Sequence, residues 1–218
     1  MTYVLRYFDG IGIAEALRLL LTAAGAEWTE EHPEWPLEKH NQPHARMPVL
    51  IEKSGNGSVD FVICESGCIE RYLSRKYGFL PADLKQAAHQ EQLRDLIHDV
   101  NYALAGRITC KCEKDKEESN AKFKVLLDKV IDEQSRLIKD NGSTGRMFGE
   151  QLSYADIASY GFYKNLIQSA AQVLPDVADI VKHKLTPEVI KLISTVEADP
   201  LVKKHTSKGE SLSAMATA

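Results

Sequence analysis

No apolar stretch in this chain approaches the ~20 residues that a helix needs to cross a bilayer. Met1 to Gly10 also lacks a basic stretch followed by a long apolar one, so no secretory leader is legible there. A basic excess is equally missing. The 27 Lys and Arg residues face 31 Asp and Glu, for a formal charge of -4 with both signs interspersed. That balance excludes a general pull toward nucleic acid, and any anionic ligand has to be gripped locally. Cysteine is sparse: Cys64, Cys68, Cys110 and Cys112 fit neither a paired zinc site nor a redox Cys-x-x-Cys. Reduced thiols in a soluble cytoplasmic protein are the expectation. His40 and His44 lie four apart, but Pro43 between them spoils helical presentation of a metal pair, so no metal is expected. At 218 residues the chain can bury one large or two small cores without disulfides.

What is present begins with a strand. Thr2 to Phe8 is β-branched and aromatic with no breaker, and Gly10 and Gly12 punctuate its end. Ala16, Leu17, Leu20, Leu21 and Ala24 then recur at helical spacing up to Gly25. Glu27 to Glu31 suits a short strand, and a polar, irregular loop runs from Pro33 to Arg46. Val49 to Ile51 and Val59 to Ile63 are apolar runs joined by Ser54-Gly55-Asn56-Gly57, a hairpin signal. Ser66 to Tyr77 has a helical face of Ile69, Tyr72 and Leu73 and ends at Gly78.

Beyond Pro81 the strand pattern disappears. Leu84 to Cys112 reads as one long helix and Glu117 to Lys139 as another, broken by Asn141-Gly142. Lys111 to Lys116 mixes charge signs and suits a solvated helix end or turn. Ser153 with Asp156 three positions on predicts a reciprocal cap, and Thr186-Pro187 opens what reads as the last helix. The small, polar tail after Lys203 is expected to be mobile.

Tyr7-Phe8-Asp9-Gly10 before a helix, Trp35 and Lys39 in the loop, Met47-Pro48-Val49, Glu65-Ser66-Gly67 before Ile69 and Arg71-Tyr72-Leu73, and Ser153 to Asp156 together resemble a cytosolic glutathione transferase. The resemblance covers essentially the whole chain and is closest in pattern to sigma-type, tyrosine-dependent members. It implies an α/β thioredoxin-like N-terminal domain over 1–80 that binds glutathione, and an all-α C-terminal domain over 81–218 that contributes a hydrophobic substrate site. It also implies a homodimer, a cytoplasmic location and a role in detoxification, with glutathione as co-substrate and neither metal, membrane nor nucleic acid as partner.

Glutathione carries two carboxylates, an ammonium and a thiol, so its site needs several small anchors. The resemblance implies a cis bond at Met47-Pro48, presenting main-chain groups to the cysteinyl unit as one added strand, where an isolated turn proline would be trans. Ser66, at a helix N-terminus, suits the γ-glutamyl carboxylate and Glu65 the ammonium; a plain helix cap explains both residues as well, and the roles are compatible. Trp35 and Lys39 resemble the pair that receives the glycyl carboxylate, with Arg46 assisting, while a surface anchor and a solvated loop charge are the bland alternatives. Tyr7 is the candidate that activates the thiol, against the alternative of a core tyrosine ending a strand. No serine or cysteine lies between Met1 and Leu21 to compete with it.

Two positions depart from the family pattern. Ile13 stands where relatives usually carry arginine, and Asn101, Tyr102 or Ala103 where an acidic residue reaches the partner subunit's glutathione, with Asp99 nearby. Tyr102 and Leu104 either face an electrophile pocket or pack between helices. The reading that follows is conjugation of the glutathione thiolate to a hydrophobic electrophile. Glutathione-dependent peroxidase or isomerase chemistry, and a noncatalytic binding protein on the same fold, are its alternatives.

Overall fold

The computed structural model describes residues 1–217. β1 (Thr2–Arg6), α1 (Glu15–Ala23) and β2 (Glu27–Glu31) form the opening unit; β3 (Val49–Lys53), β4 (Val59–Cys64) and α2 (Ser66–Tyr77) follow the long loop. The strands lie in the order β2-β1-β3-β4. β1 runs parallel to β2 and antiparallel to β3, and β3 antiparallel to β4. Strand alternation divides the side chains between faces: Tyr3, Leu5 and Leu50 enter the main core with α1 and α2, whereas Val4, Val49, Ile51 and Cys64 form a separate small cluster.

The rest is helical: α3 (Leu84–Thr109), α4 (Glu113–Asp140), α5 (Tyr154–Lys164) continued by a π-helical stretch Asn165–Ala170, α6 (Ala171–Val173), α7 (Asp176–Lys184), α8 (Pro187–Ala198), α9 (Lys203–Thr206) and α10 (Leu212–Thr217). None is long and apolar enough to cross a membrane among the described residues. The reciprocal cap forms as the sequence predicts, with the Ser153 hydroxyl accepting from the Asp156 amide and the Asp156 carboxylate accepting from the Ser153 amide. Thr186 caps α8 with Pro187 at its first position.

Two expectations need correction. α3 stops at Thr109 and α4 starts at Glu113, because Cys110 and Cys112 are extended and turn the chain so that the two long helices fold back on each other. Within the described residues, the segment after Lys203 is packed: α9 and α10 lie against α8, with Leu212 fully buried. Its anchor is Glu197, whose carboxylate accepts from the Leu212 amide at 2.7 Å and from the Ser211 hydroxyl at 2.9 Å.

A single core runs through both parts of the molecule, from Leu5 and Leu17 to Ile157 and Leu192. α1 lies against α5 so closely that a Cβ on Gly161 would stand 2.9 Å from the Ala16 backbone nitrogen. The same seam carries a buried ion cluster. Glu15 accepts from Lys164 Nζ at 2.6 Å, from His205 Nε2 at 2.8 Å and from Arg18 Nη1 at 3.2 Å. Burial pushes the Glu15 carboxyl up, but the bond and charge of His205, with those of Lys164, outweigh it and hold the group down at about 2.

A folded value below the usual 4.5 means stability that is present above about pH 4.5 and lost as the pH falls toward 2. Urea unfolding across that range should show a loss of about 3 kcal/mol attributable to this group. Glu15→Gln should be less stable at neutral pH, leaving Lys164 poorly partnered, and should show a flatter pH profile between 5 and 2. An unchanged slope would remove Glu15 as the titrating group.

Candidate active site

Tyr7 is the first residue after β1, and its amide still bonds the Glu31 carbonyl at 3.1 Å. The chain then turns through Asp9 to Ile11 into a short 3-10 turn, Gly12–Ala14, that leads into α1. This turn brings the Ile13 amide to 3.2 Å from the Tyr7 hydroxyl oxygen, to which it donates. Only glycine fits at position 12: its φ is +51°, and a Cβ there would lie 2.4 Å from the Tyr7 hydroxyl. Arg18 holds the turn from below, with Nη2 donating to the Gly10 carbonyl at 2.7 Å and Nη1 to the Ile11 carbonyl at 2.8 Å. Its guanidinium is itself paired with Glu30 at 2.6 Å and stands 5.8 Å from the centre of the Tyr7 ring.

Burial raises the Tyr7 hydroxyl above its ordinary value, against the opposing pull of the Ile13 amide and the Arg18 charge. At neutral pH the hydroxyl therefore keeps its proton. Because the oxygen accepts from Ile13, that proton is free to be donated elsewhere.

A cleft of about 570 Å³ opens beside this turn. Trp35, Lys39, Arg46, Met47, Pro48, Glu65 and Ser66 all line it, so seven of the eight residues singled out in the sequence share one wall system. Tyr7 is 8% exposed and lies behind that surface, where its neighbours Phe8 and Ile13 are lining residues. An aromatic chain links the two regions: the Tyr7 and Phe8 ring centres are 5.2 Å apart, and those of Phe8 and Trp35 5.5 Å, both edge to face. Lys39 Nζ is 5.6 Å from the centre of the Trp35 ring. The Met47-Pro48 bond is cis, and so is Trp35-Pro36, which no motif of the sequence predicts.

Glu65 joins β4 to α2 with a φ of 70°, an unusual conformation for a non-glycine residue and one that clusters at ligand-contacting positions. Its carboxylate accepts from Arg46 Nη1 at 3.2 Å in an exposed pair. The next residue, Ser66, begins α2, and the first amides of a helix have no carbonyl a turn earlier to bond. That end of the cleft is therefore suited to an anion.

Across the cleft stands α3, which contributes Arg94, His98, Asn101, Tyr102 and Ala105. Tyr102 and Asn101 thus face the cleft, while Ala103 and Leu104 turn into the core. Arg94 and His98 were missed in the sequence. Their signal was the spacing of 94, 98, 101, 102 and 105 along one helical stripe, which becomes informative only once the packing of α3 fixes which stripe is covered. The cleft thus combines donors and an amide-rich helix end with apolar surface from Ile13, Phe8 and Ala105, and a protonated hydroxyl lies behind Phe8 and Ile13.

Comparison with known proteins follows this geometry. The family description "Glutathione S-transferase, N-terminal domain" matches residues 3–75, and "Glutathione S-transferase, C-terminal domain" matches 98–209. A glutathione S-transferase class-mu 28 kDa isozyme of Schistosoma bovis is 30% identical over 196 residues, covering 85% of this chain and 84% of its own. Among solved structures, prostaglandin synthase D of Nilaparvata lugens superposes with a TM-score of 0.74 at 22% identity, over 96% of this chain and 99% of its own. A monomeric glutathione S-transferase of the hookworm Necator americanus does so with 0.69 at 24%, over 96% and 98%. These two share the fold. Because both halves match in order and the Schistosoma relative aligns along most of either length, this chain belongs to the glutathione S-transferase family.

Proposed function

We propose that the cleft binds glutathione and that the Tyr7 hydroxyl activates its thiol for conjugation to a hydrophobic electrophile. The observation that carries this reading is the Ile13 amide donating to the Tyr7 oxygen at 3.2 Å, which leaves the hydroxyl proton available next to a cleft lined with anion-binding groups. In this assignment the γ-glutamyl carboxylate lies at Ser66 and the first amides of α2, its ammonium at Glu65, and the cysteinyl unit along the main chain of Met47 before Pro48. Trp35 and Lys39, assisted by Arg46, receive the glycyl carboxylate.

A cysteine thiol ordinarily titrates near 8.5, so most of it is protonated at neutral pH. Lowering that value by about two units takes about 2.7 kcal/mol, and one hydrogen bond to a charged group contributes about 1.5–3 kcal/mol. The Tyr7 hydroxyl alone therefore suffices. Ile13 brings no cation to this position, and the Arg18 charge is largely committed to Glu30 and Glu15. The thiolate then attacks the electrophilic carbon; a C–S bond forms while the leaving group departs with its electron pair, and the proton released from the thiol passes to solvent. Phe8, Ile13, Tyr102 and Ala105 supply the surface for the apolar part of the second substrate. This chemistry belongs to cytoplasmic detoxification.

The homodimer reading rests on a different face. β4 is an edge strand that leaves Val59 and Phe61 exposed, apolar side chains of the kind that a two-fold partner covers. Light scattering should give twice the 24.3 kDa of the chain, and Phe61→Asp should shift it toward monomer. A wild-type monomer at working concentration overturns the dimer and leaves the chemistry intact.

Calorimetry should detect glutathione binding below millimolar ligand, weakened in both Lys39→Ala and Ser66→Ala; unchanged affinity in both would remove the anchor assignment. Tyr7→Phe keeps the ring and deletes only the hydroxyl. It should raise the bound thiol's pKa by about one to two units and lower turnover about ten- to a hundredfold, with far less effect on glutathione affinity. Ultraviolet titration of the thiolate beside conjugation kinetics reads both quantities. Wild-type values for both would transfer the role to another donor.

A further inference from the structure

We infer that Arg94, a residue of the helical domain, is the positioning residue that sets the Ser66 hydroxyl as a donor toward the γ-glutamyl carboxylate. The inference rests on the reading of the cleft as a glutathione site. Arg94 lines that cleft although it is only 5% exposed, and Nη2 donates to Ser66 Oγ at 3.1 Å. A guanidinium has donors and no acceptor. The Ser66 oxygen is therefore the acceptor in this bond, and its own hydrogen is directed away from Arg94.

The neighbouring carboxylate explains why that direction matters. Glu70 lies one turn after Ser66 on the same face of α2, buried at 1% exposure. Left alone, it would attract the Ser66 hydroxyl proton and place a bare negative charge beside the seat of an anionic ligand. Arg94 removes both effects. Nε donates to Glu70 Oε2 at 2.5 Å and Nη2 to Oε1 at 2.9 Å, while the Tyr154 hydroxyl donates to Oε2 at 3.1 Å. Both carboxylate oxygens are thereby occupied and the charge is paired in a bidentate fork. Since α3 and α5 supply Arg94 and Tyr154, the seat on α2 is completed only when the helical domain is docked.

The test compares two thiols, glutathione and cysteinylglycine, which lacks the γ-glutamyl unit. Arg94→Gln, and the double variant Arg94→Gln with Glu70→Gln that leaves no buried charge unpaired, are assayed for kcat/KM with each, after circular dichroism confirms the fold. Arg94→Gln should lower kcat/KM for glutathione about tenfold, almost wholly through KM, and change that for cysteinylglycine by less than about twofold. Arg94→Lys, a single point donor, should restore part of the loss. Combined with Ser66→Ala, Arg94→Gln should add little to the effect of Ser66→Ala alone. Equal losses for both thiols, or strictly additive effects with Ser66→Ala, would show that Arg94 only supports the fold. Should Arg94→Gln fail to fold, the same comparison on the charge-neutral double variant decides the question. Wild-type protein with no preference for glutathione over cysteinylglycine would instead overturn the assignment of the α2 end of the cleft.

Discussion

The hydrogen bond from the Ile13 amide to the Tyr7 hydroxyl is the contact around which the cleft end of the molecule is arranged. It ties the end of the central strand to the start of α1, and it fixes which way the tyrosine proton can go. Three other features serve it. Gly12 gives up its side chain so that the turn can pass the phenol ring. Arg18 holds the Gly10 and Ile11 carbonyls. Glu30 and Glu15 then balance the guanidinium, so the turn is held by a buried cation without leaving an unpaired charge beside the ring.

Buried ion pairs cross the seam between the two domains alongside the shared apolar core. Glu15 with Lys164 and His205 joins α1 to α5 and α9, and Glu70 with Arg94 and Tyr154 joins α2 to α3 and α5. Buried ion pairs contribute little to net stability when they replace apolar contacts, but they are intolerant of misalignment, because a half-broken pair leaves a charge in low dielectric. Arg94 of the second cluster lines the cleft beside Ser66 at the start of α2, while Glu15 of the first pairs with Arg18, which holds the tyrosine turn. The domain docking thereby determines the geometry of the site as well as its outer wall.

The cleft has two characters because two sources of chemistry meet in it. The loop and the start of α2 bring an indole, an ammonium, a guanidinium and free amides, while Phe8, Ile13 and Ala105 bring carbon surface. Ile13 belongs to the second group.

Local signals in the sequence determined the elements wherever a residue's own backbone preference or period settled the matter. The period of Ile69 and Leu73 with Gly78 gave α2 its limits, the Ser153 and Asp156 pair gave α5 its start, and the shift from strands to helices beyond Pro81 divided the chain. Seven of the residues lining the cleft were named in advance by a different route, the resemblance of their motifs to those of glutathione transferases. Tertiary structure decided what depended on distant partners. The mixed charges of Lys111 to Lys116 suit a helix end or turn, but the reversal that lays α4 along α3 follows from each helix needing the other's apolar face. The polar tail is packed because Glu197 bonds it and Leu212 finds a buried place. Arg94 became part of the site only when the docking of α3 brought its guanidinium to Ser66 and Glu70, side chains 28 and 24 residues away in the sequence, and no local preference encodes a hydrogen bond across that separation.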